Sequence, residues 1–391
     1  PIRRTIDRTN PPYLPMPGTG DYDWTGEVDE TLIPHLLDPA KGYIVTANND
    51  PLGIGFDGDV LKRVLDEGHP YLGFFWDPGW RAGRIEDRIT NATNERPSGQ
   101  KLTPDDMRAI QADHYSNTAE VFLAVLRAAV EEAKAADAGT PGADQSLAGV
   151  LTPKMIEAWD AYLAAWGFDT ASGLRNELTA AEVTSSIAAT LYNAWLTTFV
   201  PYAIGDELGK AGTSMGDDAS MRGLHKIITQ EDALVMAEGQ DGHSVIFDDV
   251  ATAGVEETRA FIALKAFKDA IAHLSSTQPP KGFGTDDFTA WQWGKLHTLT
   301  LRHPSGEEAF SVPGPNDKEF PNGFPRHGEN FVVDASNYGI DSNTPNYDFT
   351  FSGGPAIRFV CELTSTGVKV WNALPGGQVA QLGSKHYDDQ M

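Results

Sequence analysis

The spacing of apolar residues changes twice along the chain. From about residue 103 to 275 it follows a helical repeat, as where Phe122, Val125 and Leu126 fall on one face. After about residue 285, apolar residues alternate or cluster between Gly and Pro turns, which is typical of strands. The pattern therefore predicts an α+β chain with a strand and loop segment over 1–102, a mainly helical segment over 103–284 and a β-rich segment over 285–391.

Start signals locate the helices of the middle segment. Thr103-Pro104 and Thr152-Pro153 each place a capping hydroxyl before a proline at the first helical position. The apolar run TSSIAATLYNAWLTTFV predicts a helix that is buried on most sides. A further amphipathic helix is predicted in VEETRAFIALKAFKDAIAHL, and Thr229 with Asp232 resembles a capping box.

Strands are predicted at both ends of the chain. In KGYIVTANNDP, a short strand over Tyr43–Val45 runs into Asn48 and Asn49. Later strands are predicted in WQWGKLHTLTLRHP, ENFVVDASN, IRFVCELTS and VKVWNALPG. Binding groups often lie at strand ends, but Asn and Asp before Pro are also ordinary turn residues. The residues alone leave both interpretations of the asparagine pair open.

The charge balance argues against one class of partner. The 55 acidic residues against 30 basic ones give a net charge of −25, whereas nucleic-acid binding relies on a basic footprint. Such an acidic chain fits a salty or extracytoplasmic setting, or the binding of cations. No apolar run is long enough to span a membrane. We therefore expect neither a nucleic-acid nor a membrane partner.

The cysteine and histidine content gives little support for a zinc site. Cys361 is the single cysteine, so it can form neither an internal disulfide nor a Cys-type zinc site, and its apolar surroundings predict a small buried residue. His297 and His303 flank the stretch TLTLR, and His327 lies in PRHGEN, but no HExxH spacing occurs. Zinc-dependent hydrolysis is therefore not supported.

Eight stretches, in order over nearly the whole chain, resemble the β chain of the penicillin acylase family: GTGDYDWTG, GYIVTANNDP, WRAGRIEDRI, LTPDDMRAIQADHYSNTA, SSIAATLYNAW, WQWGKLHTLTLRHP, GGPAIRFVCEL and LPGGQ with HYDDQ. This family of N-terminal-nucleophile (Ntn) amidohydrolases includes penicillin, cephalosporin and acyl-homoserine-lactone acylases. The resemblance implies part of a four-layer αββα sandwich with a large helical insert. It also implies that N-acyl amides, such as penicillin or acyl-homoserine-lactone side chains, are hydrolysed through an acyl-enzyme.

The resemblance implies a catalytic role for Asn48. In the family, the first Asn of an NN-x-P pattern donates its side-chain amide to the oxyanion hole, and that position here is Asn48. Asn49 is then expected to be a structural turn residue.

An arginine is implied nearby. The family keeps an arginine in an R-(I/V) context near the nucleophile, which corresponds to Arg84 in GRIEDRI. Arg81 and Arg88 lie on the same helical face, and the spacer between Asn48 and Arg84 is longer than in the best-known penicillin acylase. The alternative for Arg84 is a surface salt bridge to Glu86 or Asp87.

Two further acidic positions follow from the resemblance. Glu362 in FVCEL corresponds to a glutamate that, in some members, orients a histidine near the nucleophile. The alternative for Glu362 is a structural hydrogen bond, since a carboxylate in an apolar strand needs a partner. The family often carries one calcium ion, and Asp59, with Asp57 as a substitute, lies at the spacing of a calcium ligand. A Gly-Asp turn that caps the following helix is the alternative there.

The resemblance also implies partners. Family members are processed into an α chain and a β chain that begins with the catalytic serine, whereas this sequence begins with Pro1. We therefore expect the nucleophile, an α chain and an N-terminal β segment to lie outside these residues, and a periplasmic or extracellular location. The rival hypotheses are a catalytically silent piece that acts as a binding or interaction module, and an enzyme that uses the amine of Pro1. A piece of a sandwich is also expected to expose strand edges and an apolar face.

Overall fold

The computed structural model describes residues 2–3, 6–52, 61–97, 99–174, 178–229, 245–249, 251–252, 254 and 257–390. The chain forms two compact units, Pro1–Asp87 and Arg88–Met391. Helices and short strands are both present, as expected of an α+β chain. No helix within the described part of the chain is both long and apolar enough to cross a membrane.

The described part of the first unit contains little regular structure. Its elements are strands β1 (Ile2–Arg3) and β2 (Trp24–Gly26), which pair antiparallel, helix α1 (Lys62–Leu65) and the start of helix α2 (Trp80–Asn94). The strand predicted over Tyr43–Val45 is wrong, since these residues belong to no regular element. A strand needs a neighbouring strand to pair with. In the loop that follows Tyr43–Val45, the described residues form a single parallel bridge, between Asn49 and Asp77.

Most helices belong to the second unit: α3 (Pro104–Gln111), α4 (Asn117–Asp137), α5 (Pro153–Ala158), α6 (Ala180–Lys210), α7 (Asp217–Thr229) and α8 (Arg259–Ser276). A turn of π-helix, Trp159–Leu163, follows α5 directly. Short 3₁₀ turns occur at Glu30–Leu32, Gln145–Leu147, Val245–Phe247, Phe288–Ala290, Trp293–Lys295 and Glu308–Phe310.

The helix starts predicted at Thr103 and Thr152 are confirmed by their hydrogen bonds. The Thr103 side chain accepts from the backbone N–H of Asp106, whose carboxylate accepts in return from Thr103. Thr152 caps α5 by accepting from the N–H of Met155. A further capping box, formed by Thr179 and Glu182 at the start of α6, was not predicted. The box predicted for Thr229 and Asp232 extends outside the described residues.

The core is built around α6, which is buried from Ser186 to Val200 as predicted. Trp195 stacks on Phe199 with ring centroids 4.9 Å apart, and its indole N–H donates to the Ala263 carbonyl of α8 at 3.0 Å. Gly205 allows a loop to approach α6, because a Cβ there would lie 2.9 Å from the Ser342 carbonyl oxygen. Removing an aromatic ring from such a core typically costs about 3–5 kcal/mol of folding free energy.

The C-terminal part contains two antiparallel pairs. Strand β3 (Thr298–Leu299) pairs with β4 (Phe324–Pro325), and β5 (Arg358–Thr364) pairs with β6 (Gly367–Ala373). The predictions for IRFVCELTS and VKVWNALPG are confirmed. The strand predicted in ENFVVDASN is wrong, because the Asn330 side chain bonds to both the N–H and the C=O of Tyr338 and so takes the place of a ladder partner.

The β5–β6 hairpin has two unlike faces. Register places Phe359, Cys361, Leu363, Val368 and Val370 on one side, which we name the exposed hairpin face. All five residues are exposed, Leu363 to 80%. The expectation that Cys361 is buried is therefore wrong: alternation along β5 directs it to the open side, while the neighbouring Val360 points inward.

A carboxylate is buried beside the N-terminus of α4. Oε1 of Glu329 accepts from the hydroxyls of Ser116 and Thr118, the latter at 2.9 Å, and Oε2 has no hydrogen-bond partner among the described residues. Tyr192 of α6 donates to Thr118 Oγ1 at 3.1 Å. Burial raises the pKa of Glu329 to about 7, because hydrogen bonding from Ser116, Asn193 and Thr118 offsets only part of the desolvation.

We expect Glu329→Gln to change the pH dependence of stability. The folded-state pKa lies above the ordinary value of 4.5, so the stability that Glu329 contributes is present below that value and is lost as pH rises through about 7. A shift of this size corresponds to roughly 3 kcal/mol. Urea unfolding at pH 5 and pH 8 should show that the variant loses less free energy of unfolding than the wild type between the two.

The matched control is Glu132→Gln on the exposed side of α4, which should follow the wild-type pH dependence. A difference between the Glu329 variant and the wild type that is the same at both pH values would contradict the assignment of a raised pKa.

Candidate functional site

The predicted asparagine pair lies in a tight loop of the first unit. Asn48 has a φ of 61°, in the left-handed region that asparagine tolerates better than most residues. Its carbonyl oxygen accepts from the N–H of Asp77 at 2.9 Å. The Asn49 side chain accepts from the N–H of Ala47 at 3.0 Å and so closes the turn. The Asn49 side chain thus closes the turn, whereas Asn48 joins the loop to Asp77 through its backbone carbonyl.

Arg81, on the first turn of α2, holds this loop. Its Nη2 donates to Asn48 Oδ1 at 2.9 Å and to the Ala47 carbonyl at 3.0 Å. The same guanidinium pairs with the Asp77 carboxylate through Nη2 at 2.9 Å and Nε at 3.1 Å. Asp77 in turn accepts from the N–H of Gly79 just before the helix. Two side chains of the segment Asp77–Arg81 therefore fix the loop to the helix start.

The bond to Arg81 determines which way the Asn48 amide faces. A guanidinium can only donate, so the amide atom that it contacts must be the oxygen. The amide nitrogen then points away from Arg81, and it has no partner among the described residues. Because Asn48 is exposed, its N–H groups are available to a ligand outside the loop.

Arg84, the arginine predicted from the resemblance, lies half-buried one turn further along α2. The bond to the Asn48 amide comes instead from Arg81. Glu86, one proposed salt-bridge partner of Arg84, bonds to Lys41 Nζ at 2.9 Å and to the Tyr43 hydroxyl at 2.8 Å. The importance of Arg81 was missed, although the i, i+4 spacing of Asp77 and Arg81 at a helix start could have indicated it.

The predicted acidic positions are not part of the described asparagine loop. Asp57 and Asp59 lie outside the described residues. Glu362 lies on β5 in the second unit, where its carboxylate pairs across the hairpin with Lys369 Nζ at 3.2 Å. Within the described part of the chain, no three His, Cys, Asp or Glu side chains are grouped so that they could hold a metal ion.

His297 is a structural residue of the core. Its ring stacks on Trp293 with centroids 4.9 Å apart, and Nδ1 lies 2.7 Å from the Phe349 carbonyl oxygen, to which it donates. Burial lowers the pKa of His297 to about 3, so the imidazole is neutral at physiological pH. Its Nε2 is buried and has no hydrogen-bond partner among the described residues.

Relatives of the chain carry related names. It is 26% identical to an acyl-homoserine lactone acylase QuiP of Pseudomonas fluorescens over 90% of its own length and 36% of that protein. It is 27% identical to the protein of that name from Pseudomonas aeruginosa, over 96% of its length and 39% of the relative. A penicillin acylase 2 proenzyme from a Pseudomonas species matches 30% of the chain and 12% of its own length at 33% identity.

The chain thus spans well under half the length of these relatives. A family model described as penicillin amidase matches residues 1–391. The order of matching segments, from the asparagine loop to the C-terminal strands, agrees with that match, and the chain belongs to the penicillin amidase family.

Proposed function

We propose that this chain is part of an amidohydrolase that cleaves N-acyl amide bonds through an acyl-enzyme. The observation that carries the proposal is the Asn48 amide, whose oxygen is held by Arg81 and whose N–H groups face outward. Membership of the penicillin amidase family supports it. The relatives are named as acylases of two N-acylated compounds, acyl-homoserine lactones and penicillins.

The chemistry requires a donor of this kind. A serine outside these residues attacks the carbonyl carbon of the amide, and the carbonyl oxygen becomes negatively charged. The Asn48 N–H donates to that oxygen without a formal charge of its own that would have to be desolvated. Arg81, bonded to the other end of the amide, polarises it and strengthens the donor. The tetrahedral intermediate then collapses, the amine leaves with the proton given up by the serine hydroxyl, and water hydrolyses the acyl-serine to release the acid.

The proposal extends to the whole assembly. We infer that the chain contributes strands and the helical insert to a four-layer Ntn sandwich, completed by an α chain and an N-terminal β segment. A periplasmic or extracellular location and a calcium ion at Asp59 accompany this proposal. The rival, a catalytically silent binding module, predicts that Asn48 can be replaced without a kinetic effect.

We expect Asn48→Ala to lower kcat by about 10²–10³ with KM little changed, since one oxyanion donor is lost. Asn48→Asp should be equally impaired, because aspartate also tolerates a positive φ but offers no N–H donor. The measurement is steady-state hydrolysis of an acyl-homoserine lactone or penicillin G by the assembled protein. Asn91→Ala, an exposed asparagine on α2, is the control. Wild-type kcat in the Asn48→Ala protein would favour the silent module.

Arg81→Gln should lower kcat by about tenfold or more, because the variant loses a charge-assisted bond that orients the amide. If Arg81 acts through Asn48, the change should cost little further in an Asn48→Ala background. The readout is the coupling of the two substitutions in kcat, with melting temperatures recorded alongside. Fully additive losses would show that Arg81 acts on its own and not through the Asn48 amide.

The exposed hairpin face supports the proposed partner chains, because five neighbouring apolar or sulfur-containing side chains lie uncovered there. Leu363→Lys and Val370→Lys should reduce the fraction of the chain that co-elutes with its companion chains, measured by size exclusion and mass spectrometry. Val379→Lys, at a valine that is also exposed, is the matched control. Unchanged co-elution, or a chain that melts cooperatively as an isolated monomer, would argue against a partner on this face.

A further inference from the structure

The second unit contains a cavity that the proposed chemistry does not use. It encloses about 610 Å³ between the β3–β4 pair and the base of the β5–β6 hairpin. Its apolar walls come from Leu299, Leu301, Phe324, Phe351, Leu374 and Pro375. The size and the mainly apolar lining are those of a small-molecule site. Arg358 and Ala373 reach it from the side of the hairpin opposite to the exposed hairpin face.

Two arginines, Arg326 and Arg358, supply the charged part of the lining. Both donate to the same oxygen of Asp334, Arg326 through Nη2 at 2.7 Å. The Asp334 side chain is only 2% exposed. Burial acts to raise its pKa, but His327 and the two arginines together hold the pKa of Asp334 below its ordinary value.

The charges around Asp334 do not balance. His327 lies with Nε2 2.7 Å from the other Asp334 oxygen, and burial lowers its pKa, which favours the neutral imidazole. Two guanidinium groups therefore face one carboxylate. Among the described residues that line the cavity, none is acidic. The cavity wall thus carries an excess of one positive charge next to apolar surface.

Arg358 is the more accessible of the two arginines. Its side chain is 37% exposed, against 14% for Arg326. Its Nη1 donates to the Gln111 carbonyl at 3.3 Å, which fixes the guanidinium at the cavity edge. The nearby backbone is closely packed, because a Cβ on Gly354 would lie 2.4 Å from the Ala335 carbonyl oxygen. The backbone beside the cavity therefore leaves no room for a side chain at position 354.

We infer that this cavity binds an amphipathic carboxylate: an acid whose carboxylate pairs with Arg358 and Arg326 while its apolar body lies among the aliphatic and aromatic walls. A second carboxylate would balance the two guanidinium groups, and arginine forks match carboxylate geometry. The inference stands apart from the proposed function, because it uses neither Asn48 nor any reacting group.

The experiment is calorimetric titration of the assembled protein with sodium decanoate, compared with decan-1-ol. We expect saturable binding of decanoate and weaker binding of the alcohol. Arg358→Gln should raise the Kd about tenfold or more, because a charge-assisted pair is lost. Ala356→Trp, at an exposed alanine that lines the cavity, should abolish binding by filling the space without altering the charge. Thermal melts establish that each variant is folded.

Two controls separate this site from the proposed catalytic one. Arg302→Gln removes an equal charge from an exposed arginine that does not line the cavity, and Asn48→Ala disables the proposed catalytic donor; both should leave the Kd of decanoate unchanged. The inference is overturned if decanoate does not bind, if the alcohol binds as tightly, if binding survives Ala356→Trp, or if it is lost in Asn48→Ala. None of these results bears on the kinetic test of Asn48.

Discussion

The burial of α6 is the constraint around which the second unit is organised. Such a helix cannot carry unpaired polar groups, yet its sequence contains several hydroxyls. Thr197 and Thr198 resolve this by donating to carbonyls one turn earlier, at 3.0 and 2.8 Å. Ser186 bonds outward instead: it donates to the Ser172 carbonyl at 2.9 Å and accepts from the N–H of Trp293 at 2.7 Å. The Thr190 hydroxyl lies within hydrogen-bond distance of both the Ser186 carbonyl, at 3.0 Å, and the Trp291 carbonyl outside the helix, at 2.9 Å. The polar groups of the helix thereby fix the irregular C-terminal segments.

Local signals in the sequence predicted those parts of the fold whose causes are local. The caps at Thr103 and Thr152 need only the next few residues, and the burial of α6 follows from its own composition. Tyr43–Val45 and ENFVVDASN were mispredicted because a strand depends on a distant neighbour. Cys361 was misassigned because an apolar run does not reveal which face of an isolated hairpin is covered.

The asparagine loop shows the same limit at the candidate site. The resemblance drew attention to Asn48 and its neighbour, and the side-chain oxygens of the two amides accept from different partners, Arg81 for Asn48 and the N–H of Ala47 for Asn49. The arginine that contacts Asn48 was not the one expected, because which helix position reaches the loop depends on how α2 packs. Residues 33 apart in sequence meet only through that packing. The NN-x-P pattern therefore identified the loop, but only the structure identified Arg81 as the residue that holds it.

The buried carboxylate of Glu329 has a thermodynamic consequence beyond stability. In the unfolded chain the group is ionised above its ordinary pKa of 4.5, whereas in the folded protein it keeps its proton up to about 7. At a pH between these values, folding takes up protons from the solvent. The buffer supplies them, so the heat of folding includes the ionisation enthalpy of the buffer. The calorimetric enthalpy of this protein will therefore differ between phosphate and an amine buffer at the same pH.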